Sequence, residues 1–213
     1  LRGQRVSPFP TYWHVDGMYT RYEGAITFNG EDYEVTKNSL PGYQDKMWGS
    51  DYLHPWAWLN CNQLTSRITN QTYPLTGLTI GGMHPLILGK HIFNRPVIAF
   101  IYKGELFDYN PSKFWMLPRQ KFIFRQDDKK VEWLIVATNL NSKIKIEFSC
   151  PKRLMIKSIY ENPEGTVEYP ELWSTGWASG TVTLYRGRPN KYELVDAFGG
   201  EFGFGMYGER AAS

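Results

Sequence analysis

The stretch KFIFRQDDKKVEWLIVATNLNSKIKIEF, residues 121–148, swaps apolar and polar side chains with a period of two. Ile144, Ile146 and Phe148 fall on one face and Lys143, Lys145 and Glu147 on the other, the pattern of a strand with one face buried. The polar run Asp127–Lys130 interrupts the first half and predicts a turn, so antiparallel strands follow one another here. AITFNGEDYEV, residues 25–35, repeats the plan. Its Asn29-Gly30 pair accepts the positive φ of a type I′ turn and predicts a hairpin. Further strands are expected at 96–102, 154–160, 180–185, 192–198 and 202–207. No long segment carries a 3.6-residue stripe. Short strands at close spacing, with Gly and Pro between them, predict an all-β barrel or sandwich. No repeat or low-complexity linker divides the 213 residues, which are expected to form one domain.

Composition narrows the function. Apolar residues make up 42% and charged residues 21%, ordinary for a globular protein, whereas 14 Tyr, 12 Phe and 8 Trp make it unusually aromatic. A net charge of +3 with scattered Lys and Arg does not predict nucleic-acid binding. No run of 18 apolar residues predicts a transmembrane helix. A cytoplasmic or membrane-peripheral location is expected ahead of secretion. Cys61 and Cys150 each sit in a strand-like run and read as buried free thiols, with a disulfide the alternative. His14, His54, His84 and His91 lack metal-ligand spacing, and no GxSxG, P-loop or CxxC pattern occurs. No metal and no organic cofactor is expected.

The aromatic excess gathers in GYQDKMWGSDYLHPWAWLNCNQL, residues 42–64, which holds three of the eight tryptophans beside an Asp-Lys pair, a His and two Asn. Read as a strand from Trp56, one face carries Trp56, Trp58, Asn60 and Asn62, and the other Ala57, Leu59, Cys61 and Gln63. Two arrangements satisfy this pattern. The first face is a pocket wall with apolar breadth and a few placed carboxamides, or the indoles fill a core and the Asn side chains tie down loops. In the preceding turn, Asp45 and Met47 point one way, Lys46 and Trp48 the other. The same residues read as a proton-handling set or as an exposed ion pair of little worth to stability.

These residues resemble the signature of the tocopherol cyclase family and the related carotenoid hydratases: a Gly-Tyr, an acid-Lys pair and a Trp-Gly, then a strand reading roughly Trp-x-Trp-x-x-x-Asn. GLTIGGMHPLILGKHIFNRPVIAFIYKGELFDY (77–109), CPKRLMIKSIYENPEGTVEYPEL (150–172) and GGEFGFGMYGE (199–209) are similar to later strands of that family. One position departs: Met47 stands where the family usually has Asn or Asp.

The resemblance implies a lipocalin-like antiparallel β-barrel, commonly the C-terminal half of a two-barrel protein. It also implies a hydrophobic isoprenoid or polyene substrate, handled by protonating an alkene and capturing the cation with a phenol or water. That chemistry needs a positioned acid in a poorly solvated site and π faces around the cation. Asp45 is the candidate acid, Lys46 its orienting partner and His54 a second-rank acid/base. Tyr43, Trp48, Trp56 and Trp58 are candidate walls, and Asn60 is placed to orient the nucleophile. Tyr12 and Trp13 are expected near the barrel mouth, and Glu201 in the pocket if Gly199 and Gly200 bend the last strand inward. A second barrel or a twin subunit is the expected partner, docking on an apolar or aromatic patch. Two other classes stay open: a non-catalytic carrier of a hydrophobic small molecule, and a pericyclic cyclase that needs shape rather than acid.

Overall fold

A computed structural model describes residues 11–39, 41–49, 56–82, 86–87, 90–91, 96–111, 113–161 and 165–209. The strands are β1 (Thr11–Thr20), β2 (Gly24–Phe28), β3 (Glu31–Val35), β4 (Gly42–Gly49), β5 (Trp56–Cys61), β6 (Gln63–Ser66) and β7 (Gly77–Gly82). Then come β8 (Leu86–Ile87), β9 (Lys90–His91), β10 (Val97–Tyr102), β11 (Glu105–Asp108), β12 (Arg119–Gln126) and β13 (Lys130–Thr138). β14 (Ser142–Pro151), β15 (Ile156–Glu161), β16 (Val167–Arg188) and β17 (Lys191–Glu209) complete the chain. Helical structure among the described residues is limited to two 3₁₀ turns, Phe114–Met116 and Lys152–Leu154. The all-β expectation holds.

The alternation of residues 121–148 becomes three antiparallel strands, β12 to β14, with Asp127 N–H bonded to the Lys130 carbonyl at the first turn. Val131, Trp133, Ile135 and Ala137 face Cys150, Phe148, Ile146 and Ile144 across the ladder, all at most 1% exposed. Burying each large apolar side chain contributes roughly 1.5–3 kcal/mol. The main sheet runs β11-β10-β7-β5-β17-β16-β14-β13-β12, with β6 on β17 and β15 on β16. It curls round this core as a half-barrel. Its two ends, β11 and β12, are not a strand pair; Gln120 of β12 donates to the carbonyl of Tyr109, just past β11, and Asn139, in the turn after β13, donates from Nδ2 to the Asp108 carbonyl at 3.1 Å. Cys61 and Cys150 are buried free thiols, and burial pushes the Cys61 thiol up to about 12.

β16 and β17 are longer than the sequence suggested, since one strand runs through Gly199 and Gly200. Two of the three register shifts between these strands fall beside Gly200. Thr175 pairs Gly205 and Ala178 pairs Gly203, so β16 carries an extra residue; Gly180 pairs Gly200, so β17 carries one between Gly200 and Gly203. The β17 glycines let core aromatics lie against the backbone: a Cβ on Gly200 would sit 2.4 Å from Phe148, and one on Gly205 2.8 Å from Trp133. The spacing Gly203-x-Gly205-x-x-Gly208 resembles a dinucleotide fingerprint, but it lies inside an antiparallel strand and opens no helix.

β8 and β9 pair as a short two-stranded ribbon outside this sheet, and two longer ribbons also stand apart from it. β2 and β3 form the hairpin, with Asn29 at φ 51° and Gly30 at φ 82° as the turn requires. β1 and β4 form the other, which lies against β7.

Candidate functional site

β5 separates two environments. Ala57, Leu59 and Cys61 enter the core, while Trp58 and Asn60 face the opposite side of the sheet. The β1–β4 ribbon covers that side. Trp13 lays its ring against Gly81 of β7, where a Cβ would come within 2.7 Å of it. Thr79, beside Gly81 on the same face, donates from Oγ1 to the Tyr43 hydroxyl at 3.0 Å. Asn62 Nδ2 donates to the Gly42 carbonyl at 2.8 Å. Small residues on β7 therefore let the ribbon approach, and three side chains fix it there.

A cleft of about 370 Å³ opens between the start of β4 and strands β5, β6 and β17. Tyr43, Trp58 and Phe204 wall it: Trp58 meets Tyr43 edge-on at 5.4 Å and Phe204 at 5.2 Å between ring centroids. Asn60, Asn62 and Gln63 supply its polar side. Asn60 spends its Nδ2 on the Leu78 carbonyl at 3.0 Å. Asn62 Oδ1 and Gln63 Oε1 are buried and meet no donor among the described residues. Burial raises the Tyr43 hydroxyl well above its ordinary value of 10, against the lowering effect of the bond from Thr79 and with a further rise from Asp45, so it stays protonated at neutral pH. Asp45, on the same face of β4, accepts the Trp13 indole N–H at 2.7 Å.

The profile of the tocopherol cyclase-like family matches residues 9–162. The chain belongs to this family. Over 103 residues it is 26% identical to tocopherol cyclase, chloroplastic, of Zea mays, covering 48% of this chain and 20% of that protein. It is 25% identical over 103 residues to the probable tocopherol cyclase, chloroplastic, of Oryza sativa subsp. japonica, covering 48% and 21%. The matched stretch is thus about a fifth of the length of these relatives. No solved structure matches the chain.

Against this family signature, the structure brings together Tyr43, Trp58 and Asn60 and sets Asp45 behind Tyr43. Asp45 is exposed rather than shielded as the chemistry suggested, because β4 ends in a ribbon that leaves the sheet's cover at this point. Lys46 points to the other face of β4, where its ammonium lies 5.8 Å from the Trp48 ring, and no ion pair joins it to Asp45 among the described residues. Trp48 stacks on Tyr12 at 5.6 Å, both exposed on that outer face, so neither walls the cleft as expected; cross-strand pairing of Tyr12 with Trp48 decides it. Trp13 serves instead as the contact between ribbon and sheet. Glu201 is exposed and outside the cleft: the chain does not bend inward at Gly199 and Gly200, since Gly200 packs on Phe148 and Leu64. Trp56 pairs through its backbone with Gly208, while its side chain, and the whole of His54, lie outside the described residues.

Sequence reasoning missed Thr79, Gln63, Phe202 and Phe204. Phe202 and Phe204 lie beyond the family match, and only the sheet topology places β17 beside β5. Asn62 was visible in the alternation of β5, sharing the face of Asn60. No helix among the described residues is long and apolar enough to cross a membrane.

Proposed function

We propose that the cleft binds a hydrophobic isoprenoid or polyene and that the protein cyclises or hydrates it by protonating an alkene. The observation that carries this reading is one cleft in which the rings of Tyr43, Trp58, Phe202 and Phe204 stand beside the carboxamides of Asn60, Asn62 and Gln63. The rings suit a carbocation. The carboxamides suit the O–H of a phenol or water held ready to capture it. Asp45 is the proton source in this reading, and Tyr43, two residues before it on the same face of β4, is the group through which it meets the cleft. A C–H bond forms at the less substituted alkene carbon, and a C–O bond then forms at the tertiary cation. The captured oxygen loses its proton, which restores the acid.

The test is turnover of a prenylated hydroquinone in deuterated solvent. One deuteron should enter the product at the former alkene, and Asp45→Asn should cut turnover by about 10²–10⁴ while binding persists. Trp58→Ala should weaken binding itself. Conversion without deuterium uptake would replace protonation with a pericyclic reaction. Two observations favour a second reading, a non-catalytic carrier: Asp45 is exposed, and Met47 occupies the usually polar signature position. A carrier returns the hydroquinone unchanged.

A further inference from the structure

The bulges at Trp177 of β16 and Phe202 of β17 face each other at the edge of the cleft. In β17 the extra residue puts Phe202 in the left-handed region, at φ 51°, where a bulky side chain is a strained outlier. In β16 it is Trp177, whose N–H bonds at 3.0 Å to Oγ1 of the buried Thr175, and Thr175 donates in turn to the Leu154 carbonyl at 3.0 Å. The bulges turn both rings outward, where they meet edge-on at 5.5 Å, yet Trp177 remains 58% and Phe202 49% exposed. Strain in the backbone and two large rings left in water stabilise nothing in the fold. Bulges next to a site characteristically re-aim a side chain.

Phe202 also lines the cleft, so an aromatic track runs from Tyr43 and Trp58 across β17 to Trp177 on β16. The cleft, at about 370 Å³, lies near the small end of the range that encloses a drug-sized ligand, so a long isoprenoid cannot be contained in it. We infer that the Phe202–Trp177 track is a subsite for the apolar tail of the cleft's ligand, holding the isoprenoid units that extend beyond the cleft. The inference rests on the proposed reading of the cleft as an apolar-ligand site. Continuity of the rings with the cleft selects a ligand tail over a bilayer or a second copy as the occupant.

The experiment is a binding titration with hydroquinones that share one head and carry one to four isoprene units, for the parent chain, Trp177→Ala and Phe202→Asn. In the parent, affinity should climb with each unit. Trp177→Ala should bind the one-unit ligand as the parent does and the four-unit ligand roughly tenfold more weakly, the loss expected from removing part of a large apolar contact. Phe202→Asn suits the left-handed backbone, so it should keep or raise Tm while flattening the dependence on tail length. No binding of even the one-unit ligand by the parent would overturn the cleft reading itself. Normal head binding with an unchanged length dependence in Trp177→Ala would overturn the tail subsite alone. So would a Trp177→Ala effect confined to vesicle flotation or to sedimentation, which would assign the rings to a bilayer or to a second copy.

Discussion

Tyr43→Phe removes one hydroxyl and leaves the ring edge-on to Trp58. The group that suffers first is Thr79, 1% exposed, whose Oγ1 donates to that hydroxyl at 3.0 Å. A buried hydroxyl deprived of its acceptor costs roughly 1–3 kcal/mol. For a chain of this size each kcal/mol shifts Tm by about 2–4 °C, so a loss of about 4–8 °C is expected for the middle of that range. Thr79→Val in the same background removes the orphaned group and should restore most of that stability, giving a coupling of roughly 0.5–3 kcal/mol between the two sites. Turnover should behave differently. If Tyr43 connects Asp45 to the cleft, the single and the double variant should both lose about 10² in rate, because restoring the packing does not restore the hydroxyl. Thermal unfolding and deuterium incorporation, measured on the four proteins of the cycle, separate these effects. Recovery of turnover together with stability in the double variant would refute a chemical role for Tyr43. An unchanged Tm in Tyr43→Phe would refute the structural premise.

Gly205→Ala should lose roughly 1–3 kcal/mol by overpacking, since its Cβ would come 2.8 Å from the ring of fully buried Trp133; urea unfolding reads the loss. Cys61 gives a pH dependence. Its thiol rises from 9.0 to about 12 on folding, so its contribution is fully present below pH 9 and is lost as pH rises toward 12, by roughly 4 kcal/mol at most. Cys61→Ala should flatten that alkaline decline in a series of denaturation midpoints; an equal decline would place its cause elsewhere. Met47→Asn, restoring the residue usual in the family, should hold or raise turnover, and a fall would show that the side chain at 47 acts in this chain as an apolar contact.

Alternation carried far in this sequence because each strand of the half-barrel has one face on the core. Ile144, Ile146 and Phe148 are buried as their spacing predicts, and Leu59 and Cys61 separate from Trp58 and Asn60 for the same reason. Element ends were less legible. Gly199 and Gly200 read as a break because glycine is scarce in strands, whereas here Gly200 admits Phe148 against the backbone, a requirement set by a residue about fifty positions away. The bulges at Trp177 and Phe202 depend on a register between β16 and β17 that no local pattern encodes. For the site, the aromatic and carboxamide content of β5 was visible in the chain, while its roof and far wall come from β4 and β17 through tertiary docking.

The period of two also divides the signature's charges. Asp45 sits with Tyr43 on the face that meets the sheet, and Lys46 sits with Trp48 and the Tyr12 stack on the face that leaves it. In the proposed chemistry an ammonium in the cleft would oppose a carbocation there, since like charges repel. Placing the lysine one residue away along a strand removes it from the cleft without removing it from the signature. The carboxylate is then oriented by a neutral donor, the Trp13 indole N–H, whose ring is locked against Gly81. The same contact docks the ribbon and orients the Asp45 carboxylate. A change at Gly81 or Trp13 should therefore disturb ribbon position and acid position together, and cannot be read as an effect on either alone.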